Sequence, residues 1–153
     1  MSEVYFTDLR TSSKQNLLDK LSKLCDRLGF RDMIVDKVRA AGGKPFLTDA
    51  NTLYAGSRAN AADHLETAVQ NGFDFAVVNA PLVIADGLTG KDYINVPIEG
   101  KHFKEVKIGS AACHANAIIS ITHFKGHELT GFGGVLKNLG MGLGCRKYTL
   151  VKV

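Results

Sequence analysis

The sequence is poor in cysteine, in long apolar runs and in charge imbalance, and each shortage removes a class of protein. Its three cysteines are Cys25, Cys113 and Cys145. The count is odd and no pair has Cys-x-x-Cys spacing, which argues against a disulfide scaffold and leaves the chain short of the four thiolates of a cubane cluster. No apolar run approaches the roughly 20 residues of a membrane helix. The opening MSEVYFTDLR lacks the basic-then-apolar pattern of a leader. Together these absences describe a soluble protein of a reducing compartment, the cytoplasm, with no membrane partner. Charge is nearly balanced, 19 basic against 15 acidic residues for a net +4. That excess fits a small anionic ligand and does not call for nucleic acid. The basic stretches 101–107 and 146–152 alternate with apolar residues, as solvated strand faces do.

What remains is an ordinary globular composition, 45% hydrophobic and 22% charged over 153 residues. That length suits one domain able to bury roughly 70% of its unfolded surface. We expect a single α/β domain over residues 1–153: a mixed, mainly parallel sheet flanked by helices, with one antiparallel hairpin.

Apolar patterning sets out the elements. Residues 4–6 read as a first strand, and Leu17, Leu18, Leu21, Leu24, Cys25 and Leu28 as the stripe of a first helix, with Cys25 in its core face. A second helix follows Asp32, with Ile34, Val35 and Val38 inward, and ends at Gly42 and Gly43. Residues 44–49 (KPFLTD) and 73–79 (FDFAVVN) read as buried strands, and between them Ser57 is placed to cap a third helix burying Ala61, Ala62, Leu65 and Val69. Residues 81–90 read as a loop. Residues 92–98 and 102–108 form the hairpin, 117–122 (AIISIT) another strand, and 148–153 a last one.

In such sheets ligands sit beyond the carboxyl ends of strands, which singles out the loops 49–54, 81–87 and 122–134. The richest stretch is 122–144, THFKGHELTGFGGVLKNLGMGLG, which follows an apolar strand. Glycines let backbone N–H groups approach a ligand closely. Thr130 is placed to cap a short helix burying Val135, Leu136 and Leu139, whose first N–H groups would seat a phosphate or carboxylate. Lys125 and Lys137 add full charges, and Asn138 a polar contact. Gly131, Gly133 and Gly134 do not have dinucleotide-fingerprint spacing, and no Gly-Lys-Ser/Thr follows as in a Walker loop. The rival reading is a turn whose glycines only let the helix pack on the sheet. His127 is a candidate general base, because an imidazole beside a helix N-terminus can stay neutral. His123 and His127 are alternatively a metal-binding pair, although Gly126 between them interrupts helical spacing. Asp49 and Asp86 are each read as following a buried strand and suit either a ligand hydroxyl or metal, or a turn. His64, His102 and His114 read as surface or structural residues, and Cys145 as a cysteine without a visible activating partner.

Three ordered segments carry a family resemblance: GGKPFLTDANTLYAGSRANAADHLETAVQNGF, APLVIADGLTG and HFKGHELTGFGGVLKNLGMG. They resemble successive segments of the domain-of-unknown-function 362 family, over residues 35–145. The resemblance implies an α/β ligand-binding part that, in full-length relatives, is often followed by a ferredoxin-like module with 4Fe–4S clusters. This chain resembles the first part only. The front also looks short of one strand, which would expose a sheet edge and open a route to a homo-oligomer. The stretch from His127 through Gly131 and Gly134 to Lys137 is distantly similar to a segment of the nickel-pincer lactate racemases. That similarity implies proton transfer at His127 and cofactor attachment or anion contact at Lys137. Three functions follow as expectations: an anion-binding module linked in relatives to 4Fe–4S electron transfer, a racemase-like proton-transfer enzyme, or a non-catalytic remnant.

Overall fold

The computed structural model describes residues 29 and 31–148. The expected strand at 4–6, the first helix with Cys25 and all of the expected strand 148–153 except Tyr148 lie outside these residues, and Tyr148 ends a 3-10 turn, Arg146–Tyr148. The described chain is a mixed α/β structure of two compact units. One comprises the chain up to Leu47 together with Leu65–Leu82, the other Thr48–His64 together with the chain from Val83 onward.

The first unit opens with a π-helical turn, Arg31–Val35, that runs into helix α1, Asp36–Ala40. Val35 is fully buried there, as the apolar spacing requires, and the helix stops ahead of Gly42, whose φ is +83°. The FDFAVVN stretch departs from expectation. Its centre is one helical turn, Phe75–Val78, and not a strand. Both ends of the turn are capped: Asp74 accepts a hydrogen bond from the Ala76 N–H, and Asn79 adopts the left-handed conformation at φ 55°. Asn79 then accepts from Arg39 Nε and Nη2 through its carbonyl and donates from its side chain to Asp36. Local capping and these side-chain ties outweigh the β-propensity of Phe and Val.

Strand β1, Leu47–Asp49, pairs with β2, Leu82–Ile84. The bonds from Leu47 N–H to the Pro81 carbonyl and from Ala85 N–H to the Asp49 carbonyl have parallel spacing. The stretch 81–90, expected as loop throughout, therefore contributes a strand. Between β1 and β2 come α2, Ala61–Gln70, and the short α3, Phe75–Val78. The helix α2 forms where the sequence places it, but its buried residues are Ala61 and His64, whereas Ala62 and Val69, expected inward, are exposed. Asn60, not Ser57, caps it, its side-chain oxygen accepting from the Asp63 N–H and its amide donating to the Asp63 carboxylate.

In the second unit β3, Tyr93–Pro97, and β4, Glu105–Gly109, form the expected hairpin, in register from Tyr93 opposite Gly109 to Pro97 opposite Glu105. The turn Ser110–Cys113 (α4) follows. Residues 117–124 carry no regular structure, so the AIISIT stretch is not the strand its apolar run suggested. Its isoleucines 118, 119 and 121 are exposed. The strands Lys125–His127 (β5) and Gly131–Gly133 (β6) make a second, unexpected antiparallel pair, and Val135–Leu143 is the closing helix α5. The strands of the described residues thus form three separate pairs, one parallel and two antiparallel. No helix among the described residues is long and apolar enough to cross a membrane.

Small residues make the core of this unit. Ala50, Ala85 and Ala112 are buried together, with Ile108, Ala111 and Leu143 against them. Small side chains let backbones touch: Ala111 N–H donates to the Ala85 carbonyl, and a Cβ on Gly109 would lie 2.7 Å from the Ala85 carbonyl carbon. The neighbour in that contact is backbone, which cannot swing aside. Gly109→Ala should therefore destabilise the protein by about 1–3 kcal/mol, as overpacking does, read as a lower urea midpoint at unchanged slope.

Candidate functional site

The glycine-rich segment is organised by β5, β6 and α5, and it gathers several of the residues singled out by sequence. The turn between the strands is closed by His127, whose Nδ1 accepts from the Leu129 and Thr130 N–H groups at 3.3 Å each. In a neutral ring this places the proton on Nε2. Thr130 does not cap the helix. Its hydroxyl donates to the Phe132 carbonyl, and Gly134 occupies the N-cap position with no side-chain cap bond. Lys125 leaves β5 and Lys137 leaves the first turn of α5, and both stems cross Gly133. A Cβ there would lie 3.5 Å from Lys137 Cδ and 3.7 Å from Lys125 Cγ. Gly134 sits beneath the Phe124–Phe132 ring pair, whose centroids are 5.3 Å apart.

A cavity of about 400 Å³ opens beside this arrangement, lined by Thr130, Phe132, Gly134, Leu136, Lys137 and Met141 among others. The volume lies within the roughly 300–1,000 Å³ usual for small-molecule sites. Lys137 supplies the positive charge in an otherwise mostly apolar wall. The helix face expected to be buried is instead open here: Val135 is exposed and Leu136 is 84% exposed.

Asn138 and Asp49 meet on another part of α5. Ala50 N–H donates to the Gly142 carbonyl at 2.7 Å, and a Cβ on Gly142 would lie 2.8 Å from Asp49 Oδ1 and 3.7 Å from Asn138 Oδ1. The Asn138 amide donates to Thr122 Oγ1 at 2.9 Å, which anchors the irregular segment before β5. Around Asp49 stand two residues that the sequence reading set aside or passed over, His64 and Arg58. His64 Nε2 and Arg58 Nη1 each lie 3.7 Å from Asp49 Oδ2. Burial raises the Asp49 pKa and lowers that of His64, in each case against the mutual attraction of the pair. The i, i+3 relation of Ala61 and His64 on an amphipathic helix was the available signal that His64 faces inward.

Asp86 stands apart from these groups. It has no exposed surface, and its carboxylate accepts from the Asn51 N–H, the Asn51 side-chain amide and the Arg146 N–H. The structure thus places it in a protein-internal network, in line with a structural use. His123 lies exposed in the irregular segment before β5. Among the described residues no three His, Cys, Asp or Glu side chains are grouped as a metal site. The Cys145 thiol is fully buried, its pKa is raised by that burial, and it donates to the Gly90 carbonyl.

Two predictions follow from this geometry. Gly140 has open space where a Cβ would sit, so Gly140→Ala should stabilise α5 by up to about 1 kcal/mol through helix propensity. At Gly142 the added Cβ meets Asp49 Oδ1 at 2.8 Å, so the carboxylate must shift and the gain should be smaller. Thermal unfolding should rise more for Gly140→Ala than for Gly142→Ala. The second prediction concerns pH. With its folded pKa held below the ordinary 6.5, His64 binds a proton more readily in the unfolded chain. Its contribution is therefore intact above 6.5 and lost as pH falls through the lowered folded value. From about pH 7.5 down to about 5, the melting temperature of His64→Gln should fall less than that of the wild type.

The family model described as domain of unknown function (DUF362) covers residues 20–151. No curated protein and no solved structure matches the chain. With most of its length inside that one family model, the chain belongs to the domain of unknown function 362 family.

Proposed function

We propose that this chain is a binding module for a small anionic ligand, seated where β5, β6 and α5 meet. The observation that carries the reading is the convergence of the Lys125 and Lys137 stems over Gly133, at the edge of a cavity of about 400 Å³. The two stems start their ammonium groups from one glycine turn, and a phosphate or carboxylate reached by both would be held by two positive charges. The first N–H groups of α5 lack intrahelical partners and add partial positive charge at the same place. His127 supports binding over proton abstraction. Its Nδ1 is occupied by turn N–H groups, so its free nitrogen is a donor suited to an anion. The apolar remainder of the cavity wall suits a ligand whose body is less polar than its head. In full-length relatives, by the family resemblance, such a module would serve an attached 4Fe–4S electron-transfer part.

Calorimetric titration of the purified chain with inorganic phosphate tests the reading. Binding is expected, weakened about tenfold or more by Lys137→Ala, the cost of one charge-assisted hydrogen bond, and weakened further with Lys125→Ala. Undiminished binding in the double variant, or no binding by the wild type, overturns the assignment. Intact-mass and metal analysis of the same sample separates the alternative. Covalent mass on Lys137, or stoichiometric nickel, would replace the binding reading with proton transfer at His127.

A further inference from the structure

We infer that the open face of α5 and the β5–β6 hairpin dock on the surface of an anionic phospholipid bilayer, with a lipid phosphate as the anion of the seat proposed above, on which the inference rests. Large apolar side chains crowd this part of the chain without cover. Leu129, in the turn between β5 and β6, is 91% exposed. Phe124, beside the exposed Phe132 and just ahead of the hairpin, is 75% exposed. On α5, Leu136 and Met141 are exposed as well. Positions 136, 137, 140 and 141 fall on one side of a helix, and they line the cavity together with Phe132. Gly140 leaves that side bare between them, since a Cβ there would meet nothing within 4 Å. The five apolar side chains expose on the order of 500 Å², at the upper end of what a soluble monomer leaves open.

Charge selects the occupant. Lys137 stands among these side chains, and its stem meets that of Lys125 over Gly133. Residues 117–145 carry a single acidic side chain, Glu128, against those two lysines. A second copy docked face to face would bring the same lysines together, and like charges across an interface cost affinity. Lipid phosphates meet them with opposite charge.

Shape agrees with charge. Leu129, Leu136 and Phe124, each exposed to 75% or more, project singly from the surface. A folded partner would need a preformed pocket for each of them. The interfacial zone of a bilayer is fluid and accepts them where they stand. The cavity wall is charged at Lys137 and apolar at Phe132, Leu136 and Met141. Such a wall suits a group that is phosphate at one end and hydrocarbon at the other. The expectation of no membrane partner rests on the lack of a spanning helix, and contact at the surface needs none.

The test is co-sedimentation of the full chain with vesicles of phosphatidylcholine alone and with vesicles containing about 30% phosphatidylglycerol. Binding to the anionic vesicles is expected, about tenfold or more tighter than to the neutral ones, and weakened by added salt. Lys137→Ala should weaken it about fivefold, the worth of one lysine at an anionic surface. Leu129→Ser combined with Leu136→Ser should weaken it about tenfold or more, because two leucines no longer enter the apolar layer. Both leucines are exposed, so that variant keeps its fold. No binding to either vesicle, while inorganic phosphate binds in calorimetry, overturns the inference and leaves the anion seat intact. Equal binding to both vesicles, or anionic binding that both variants retain in full, also overturns it. Anionic binding that both variants weaken, without binding of inorganic phosphate, supports the bilayer contact and overturns the seat for a free anion. Sedimentation velocity without vesicles covers the other occupant. A dimer that the leucine variant abolishes, with no vesicle binding, assigns the patch to a second copy and overturns the bilayer.

Discussion

The second unit is tied together by a carboxylate that water does not reach. Burying Asp86 is costly unless its oxygens find donors, and they find three, two from Asn51 and one from the Arg146 backbone. Residues 35 and 60 positions away along the chain are thereby fixed to the turn after β2. Removing such an acceptor would leave buried N–H groups stranded as well as deleting the bonds. Cys145 adds to the same closure, with its thiol on the Gly90 carbonyl. Asn51 lies two residues beyond Asp49, the last residue of β1, so the network around Asp86 sets the position from which Asp49 reaches α5.

Close backbone approach is the other constraint. An alanine core has little side-chain volume to hold elements apart, and glycines stand where the chain passes nearest: Gly109 against Ala85 and Gly142 against Asp49. Glycine here is chosen for absence of bulk more than for backbone freedom. The glycine-rich segment therefore does two jobs. It lets α5 lie against β1, and it brings the stems of Lys125 and Lys137 together over Gly133.

Where the sequence reading failed, it failed for a consistent reason. FDFAVVN and AIISIT have the composition of buried strands, yet one is a capped helical turn and the other is irregular and exposed. Composition reports what a segment could bury. It does not report whether Asp74 and Asn79 will cap it, or whether Asn138 will hold Thr122 from a helix sixteen residues on. The hairpin and α2 were legible because their signals are local: alternation about a Glu-Gly-Lys turn, and an apolar stripe at helical spacing.

The sequence alone determined the mixed α/β class, the hairpin, the second and third helices and the family, since each is carried by short-range pattern or by ordered motif. It also brought Lys125, His127 and Lys137 into one candidate group by proximity along the chain. Only the tertiary structure decided that Asp86 is enclosed by protein donors, that Asp49 faces His64 and Arg58, and that the outer face of α5 is open. Those outcomes depend on which distant backbone groups arrive beside a side chain, and hydrogen-bond satisfaction across long chain separations leaves no periodic trace in the order of residues.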